Sequence, residues 1–221
     1  MKQLTDLEGT ESLTGEDETL DGRETRWVDH RSRKRQDLVR SARKSIHLNG
    51  PGVPMDVIAS DAGTSKSVVY RYFGGKDGLR SAIGADVVDG LRDAVVAAAA
   101  ATSDPETSLR AMVRTYLEQA ASSPNTYAFV LGGETAPAAD APSDTVLAFT
   151  RDLAQLMGER LDELAPLESS PGLAGIRAYA AIGLIRSAGE SWLAGPAPRG
   201  TPEALAATIT GWLLAGLTTT S

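Results

Sequence analysis

The chain has 221 residues, 42% of them hydrophobic, with no cysteine and only two histidines, His30 and His47. That is enough apolar material for a sizeable core without disulfides or metal, and it excludes thiol catalysis, Cys-ligated zinc and a His-rich metal site. The net charge of −7 hides a basic block: residues 1–22 hold one Lys against seven acids, residues 23–80 thirteen Lys and Arg against six acids, and residues 81–221 eight Arg against sixteen acids.

Residues 1–22 are polar, acidic and aperiodic, and read as a disordered tail without the apolar core of a signal peptide. Arg31, Arg33, Lys34 and Arg35 then crowd together. They are a candidate basic arm that reaches phosphates or a minor groove, with the acidic tail competing for it as a weak brake. The alternative is an inert leader. Leu38, Ala42 and Ile46 recur every four residues beside Val39, so a first helix is expected from about Arg31 to Asn49, where Asn49-Gly50-Pro51-Gly52 stops it. A short second helix follows from about Pro54 to Asp61, with Pro54 in its first turn and Met55, Ile58 and Ala59 on its buried side. Gly63 suits a left-handed turn, Ser65 can cap a third helix running through Phe73, and Gly74-Gly75 ends it.

Further helical patterns run from about Lys76 to Ala101, Pro105 to Ser122, Asn125 to Leu131, Ser143 to Leu164, Leu173 to Leu193 and Thr201 to Thr218. The breaks between them are rich in Gly, Pro and Ser. About nine helices and no convincing strand make an all-α protein without an internal repeat. No apolar run reaches the ~18–20 residues that a membrane span requires, so a soluble cytoplasmic protein is expected.

Residues 50–79, GPGVPMDVIASDAGTSKSVVYRYFGGKDGL, describe two short helices joined by a tight Gly-containing turn. The second is basic and polar near its start, with Lys66, Ser67 and Arg71, and carries Tyr70, Tyr72 and Phe73. A helix-turn-helix lays such a second helix in the major groove, with its N-terminal residues at base edges. The ordered set Met55-Asp56, Ile58-Ala59, Ala62-Gly63, Ser65-Lys66, Tyr70-Arg71-Tyr72-Phe73, Lys76 and Leu79 strongly resembles the DNA-binding segment of the TetR family (TetR/AcrR type), in a form common in actinobacteria. The resemblance implies that Tyr70, Tyr72 and Lys76 contact phosphates and that Lys66, Ser67, Val68 and Arg71 lie on the recognition helix, with Phe73 packed on the first helix. Two departures concern the DNA contacts. Pro54 stands where Ser or Thr is usual, and Val68 stands where Thr is common, which replaces a polar contact with an apolar one, such as a thymine methyl.

The resemblance further implies an N-terminal three-helix DNA-binding domain, residues 23–80, and a C-terminal helical bundle, residues 81–221, that binds a small effector and dimerises. Met112, Tyr116, Tyr127, Phe129, Phe149, Leu153 and Met157 are the candidate lining of an apolar effector pocket, although each can equally be core filler. The last two helices are the implied dimer elements, with Ile182, Ile185, Trp192, Ile209, Trp212 and Leu213 as interface candidates; an internal helix hairpin is the alternative. The implied function is a repressor that binds a palindromic double-stranded operator as a homodimer and leaves it when a small apolar or amphipathic effector binds. An activator, an effector-independent regulator, or a helical ligand-binding or interaction protein remain the other readings. No cofactor is expected. Nor is an enzyme, because no Ser-His-Asp or Cys-His set, phosphate loop, metal-ligand spacing or GxGxxG occurs.

Overall fold

Leu38, Val39, Ala42 and Ile46 share one helical face, and all four are buried in the computed structural model, which describes residues 22–131, 144–166, 171–196 and 200–217. Their helix, α1 (Gly22–Asn49), begins nine residues earlier than the apolar repeat predicts. The added turns, residues 22–30, carry Arg, Glu, Asp and His and no apolar stripe, so apolar periodicity does not announce them. Gly22, which the sequence places in the tail, is the first residue of α1; residues 1–21, where the rest of the expected tail falls, lie outside the described residues. The chain divides into two units, residues 1–36 and residues 37–221.

Within the second unit follow α2 (Met55–Asp61), α3 (Lys66–Phe73), α4 (Lys76–Ala100), α5 (Pro105–Ser122), α6 (Pro124–Leu131), α7 (Asp144–Leu164), α8 (Pro171–Ala194) and α9 (Pro202–Leu217). The described residues contain no strand. Pro54 is the N-cap of α2 and not part of its first turn, and its carbonyl accepts from the Ile58 amide at 3.1 Å. Gly63, at φ 61°, turns the chain between α2 and α3 in the left-handed region that a side chain disfavours. The Ser65 hydroxyl caps α3 by accepting from the Val68 amide at 3.4 Å, and left-handed Gly74 closes α3 by donating to Tyr70 O at 2.7 Å. Asp104 caps α5 at the Thr107 amide, 2.8 Å away, and hydrogen bonding from the Thr107 side chain, then from its amide, holds the Asp104 carboxyl below the usual range.

Two apolar clusters organise residues 37–221. The first joins Leu38, Val39, Ala42 and Ile46 of α1 with Ile58, Val69, Phe73, Leu79 and Ile83, and takes in Phe129 from α6. The second gathers Val95, Leu109, Met112, Leu117, Met157, Leu161, Ile185 and Ile209, where α5 packs against α4, α7 and α9 and α7 packs on α8. α4 serves both, with Leu79 and Ile83 in the first and Val95 and Ala99 in the second. The domain boundary expected near residue 80 thus falls inside an unbroken helix. Between the clusters, Arg43 of α1 donates to Asp86 of α4 at 2.6 Å, and Asn125 Nδ2 of α6 donates to the His47 carbonyl of α1 at 2.8 Å.

Candidate nucleic-acid interface and cavity

α3 buries Val69 and Phe73, which lie four residues apart on the face turned to the core. The same periodicity turns Lys66, Ser67, Tyr70 and Arg71 outward, and all four are exposed, as is Lys76 at the start of α4. Val68 and Tyr72 are half-buried, and Tyr72 packs against the first cluster. Lys66 lies over the Tyr70 ring at 5.9 Å and Arg71 over the Tyr72 ring at 5.8 Å, so the aromatic faces hold the cations in place without neutralising them. Among the described residues, Lys66, Arg71 and Lys76 have no carboxylate partner within ion-pair distance. Nearby acids are otherwise engaged. Asp77 pairs with Arg80 at 2.6 Å, and Asp61 accepts from Ser45 Oγ at 2.6 Å and from Asn49 Nδ2 at 3.3 Å. The Ser45–Asp61–Asn49 contacts tie α1 to α2, and sequence reasoning missed them, because nothing in the spacing of a Ser and an Asp 16 positions apart announces a contact.

Between α4, α5, α6, α7 and α8 lies an apolar cavity with about 860 Å3 of empty space, counting its open mouth. Its apolar lining with a few polar groups suits a small organic ligand. Of the residues expected to line an effector pocket, Met112, Tyr116, Tyr127, Phe149, Leu153 and Met157 line this cavity. Phe129 does not. Tyr127 and Val130 are three residues apart on the cavity face of α6, whereas Phe129, about 200° around the helix from Tyr127, points into the first cluster at 5% exposure. Sequence reasoning missed Val87, Leu91 and Val95, which recur every fourth residue along α4 and complete one wall, and also Ile182, Ile185 and Arg186 of α8. The α4 repeat was a usable signal; nothing in the sequence marked Arg186.

Beside Thr150 and Arg186, the polar groups of this cavity include a pair of hydroxyls, Tyr116 Oη and Tyr127 Oη, 2.5 Å apart, with the rings edge to face. Burial pushes the Tyr116 hydroxyl up to about 12, and burial also raises Tyr127, reinforced by its partner. Neutral tyrosines are therefore favoured by the fold. The Tyr116 contribution to stability is whole below the unfolded value of 10.0 and is lost as pH climbs from there through about 12. We expect Tyr116→Phe/Tyr127→Phe to remove the late part of the tyrosinate absorbance rise and to flatten the stability loss across that window. A rise complete by pH 10 in the unmodified protein contradicts the burial.

The dimer candidates separate. Ile209 is fully buried, Ile185 is buried against the cavity, Ile182 also lines it, and Leu213 packs on the second cluster. Ile185 and Ile209 are thus buried within the protomer, while Ile182 and Leu213 are half-buried. Trp192 is half-buried, with Nε1 buried and lacking a hydrogen-bond partner, and Trp212 is 56% exposed. The apolar residues that α8 presents outward are Leu173, Ile176, Tyr179 and Leu184. α8 is apolar on two faces, and periodicity alone cannot say which one packs inward. Among the described residues no group of three or more His, Cys, Asp or Glu could hold a metal ion, and no helix is long and apolar enough to cross a membrane.

Residues 38–83 match the family described as "Bacterial regulatory proteins, tetR family". Over 179 residues the chain is 31% identical to an uncharacterized HTH-type transcriptional regulator of Mycobacterium tuberculosis, covering 80% of this chain and 74% of that one. Among solved structures it is similar to the fatty acid degradation regulator FadR from Bacillus halodurans, with a TM-score of 0.67, 18% identity, and 84% and 96% of the two chains covered. It is also similar to AibR, solved in complex with isovaleryl coenzyme A and operator DNA, with a TM-score of 0.61, 20% identity, and 82% and 98% covered. At such identities the structural likeness is one of fold.

Proposed function

This chain belongs to the tetR family of bacterial regulatory proteins and is a DNA-binding transcriptional regulator, and from that premise we propose that it is a ligand-responsive repressor. In this reading it binds a palindromic operator as a homodimer and leaves it when a small effector fills the cavity. The observation that carries the reading is α4. Its first residue, Lys76, is an exposed cation beside α3, and Val87, Val88, Leu91 and Val95 further along form a cavity wall. An effector that favours one position of α4 shifts the angle at which α3 is presented, and hence the separation of the two reading heads, which for successive half-sites is about 34–36 Å. The AibR complex supports the combination of effector and operator in one such fold. A DNA partner implies a cytoplasmic protein.

In this reading, exposed Tyr70 and Lys76 hold phosphates, Tyr72 adds its hydroxyl from a half-buried ring, and Lys66, Ser67, Val68 and Arg71 face base edges. The test is operator affinity measured against salt concentration. Lys76→Ala is expected to weaken operator and random DNA alike and to reduce the salt slope by about one unit. Lys66→Ala and Arg71→Ala are expected to change which sequence is preferred. An unchanged slope removes Lys76 from the phosphate contacts, and a uniform loss across sequences for Lys66 and Arg71 makes them positioning groups only. For the effector, ligands that fill the cavity raise Tm by mass action and lower operator affinity in the same concentration range.

A further inference from the structure

The tyrosine pair is also a wall of a second cavity. Tyr116, Tyr127, Val87 and Leu91 are shared by the apolar cavity and by a polar one of about 600 Å3, counting its open mouth. The polar cavity is lined by Gln119, Ser122, Ser123 and Thr126 and by the Arg43–Asp86 ion pair. Its hydroxyls continue into α1, because Ser123 Oγ donates to Thr126 Oγ1 at 2.7 Å and shares a hydrogen bond of 2.8 Å with His47 Nδ1.

Every charge on these two linings already has a partner. Arg43 meets Asp86 at 2.6 Å, and Arg186, the charged residue lining the apolar cavity, meets Glu190 at 3.7 Å. An anionic head that takes either arginine leaves a carboxylate unpaired beside itself, and a cationic head does the converse. A neutral head that both donates and accepts displaces no charge. It can enter between two phenolic hydroxyls that can each both donate and accept.

We propose that the Tyr116–Tyr127 pair is an openable polar partition, and that the effector is a neutral amphipath. Its apolar body fills the apolar cavity, and its uncharged hydrogen-bonding head, an alcohol, amide or ketone, parts the two hydroxyls and reaches the Ser123–Thr126 chamber. This deepens the effector reading above and rests on it. Burial that keeps both tyrosines neutral penalises a charged head at the same place. The net acidity of residues 81–221, eight Arg against sixteen acids, adds to the discrimination against nucleotide thioesters and other polyanions. The head arrives next to the hydrogen bonds that join the end of α1 to the α5–α6 junction, so a ligand of this kind disturbs a contact of the DNA-binding helices directly.

The experiment is displacement of the neutral fluorophore N-phenylnaphthylamine from the full-length protein by four ligands of equal chain length, decanol, decanamide, decanoate and decylamine, with decanoyl coenzyme A as a fifth. Decanol and decanamide are expected to displace it at concentrations at least about tenfold lower than the charged ligands, equivalent to about 1.4 kcal/mol. In Tyr116→Phe/Tyr127→Phe the ratio between decanamide and decanoate should collapse toward one; because it is a ratio within one variant, any change in probe affinity cancels. Thr126→Val, which keeps both tyrosines, should weaken decanamide more than decanol. Decanoate or decanoyl coenzyme A binding as tightly as decanamide overturns the neutral-head inference while leaving the cavity reading intact, as does a ratio that survives in the double variant. Failure of the fluorophore to bind at all overturns the cavity reading and this inference with it.

Discussion

Gly78→Ala is expected to destabilise the protein by about 3 kcal/mol in urea unfolding, at the upper end of what overpacking costs. A Cβ on Gly78 falls 1.8 Å from the Phe73 carbonyl oxygen and 2.9 Å from its carbon. Both atoms are backbone at the end of α3, so no rotamer change relieves the clash and one helix must move. Gly90→Ala is the control in the same helix. Its Cβ meets nothing within 4 Å, so it should stabilise by up to about 1 kcal/mol through helix propensity alone. The two substitutions are chemically identical and differ in surroundings, so opposite signs isolate the α3–α4 approach. Gly78→Ala should also weaken operator binding in the protein that remains folded, because α3 is displaced from its seat. Equal stability of Gly78→Ala and the unmodified protein refutes a tight α3–α4 contact.

Trp212→Asp and Ile176→Asp are each expected to convert a homodimer into a 23.1 kDa monomer, read by light scattering at micromolar concentration. Trp212 on α9 and Ile176 on α8 are 56% and 63% exposed in the protomer, and Leu173, Tyr179 and Leu184 of α8 are exposed as well. Neither side chain is needed to fill the protomer core, so the monomers should remain folded, as exposed substitutions usually cost within ~0.5 kcal/mol. The functional effect is larger. A monomer engages one half-site, and losing the second, linked half-site should lower operator affinity at least about 100-fold. Random DNA should be affected less. An unmodified protein that is already a monodisperse monomer at micromolar concentration contradicts the homodimer.

How far the sequence reaches varies along the chain. The helix-turn-helix was readable almost residue by residue, because its constraints are local: a positive-φ glycine at the turn, a Ser cap three residues before the amide it accepts, and apolar residues at helical spacing. The expected start of α1 was late, since periodicity detects an apolar face and is silent about a charged helix. The cavity was legible as a set of helices, and six of its seven expected lining residues do line it. Phe129 shows the limit, because helix phase within an eight-residue α6 decides which of two neighbouring aromatics faces inward, and that phase is set by what α6 packs against.

The sequence by itself determined the helical class, the turn chemistry and the basic outward face of α3, all of which follow from residue spacing of a few positions. Only the tertiary structure decided which face of α8 is buried. Ile182 and Ile185 went inward, and Leu173, Ile176 and Tyr179 were left outside. It alone brought Tyr116 to Tyr127 across two helices and set Arg43 against Asp86, 43 positions away. The physical reason is one of range. Backbone propensity and caps act within a turn of helix, whereas the choice between two apolar faces, or the pairing of charges on different helices, depends on burying area against elements far away in sequence.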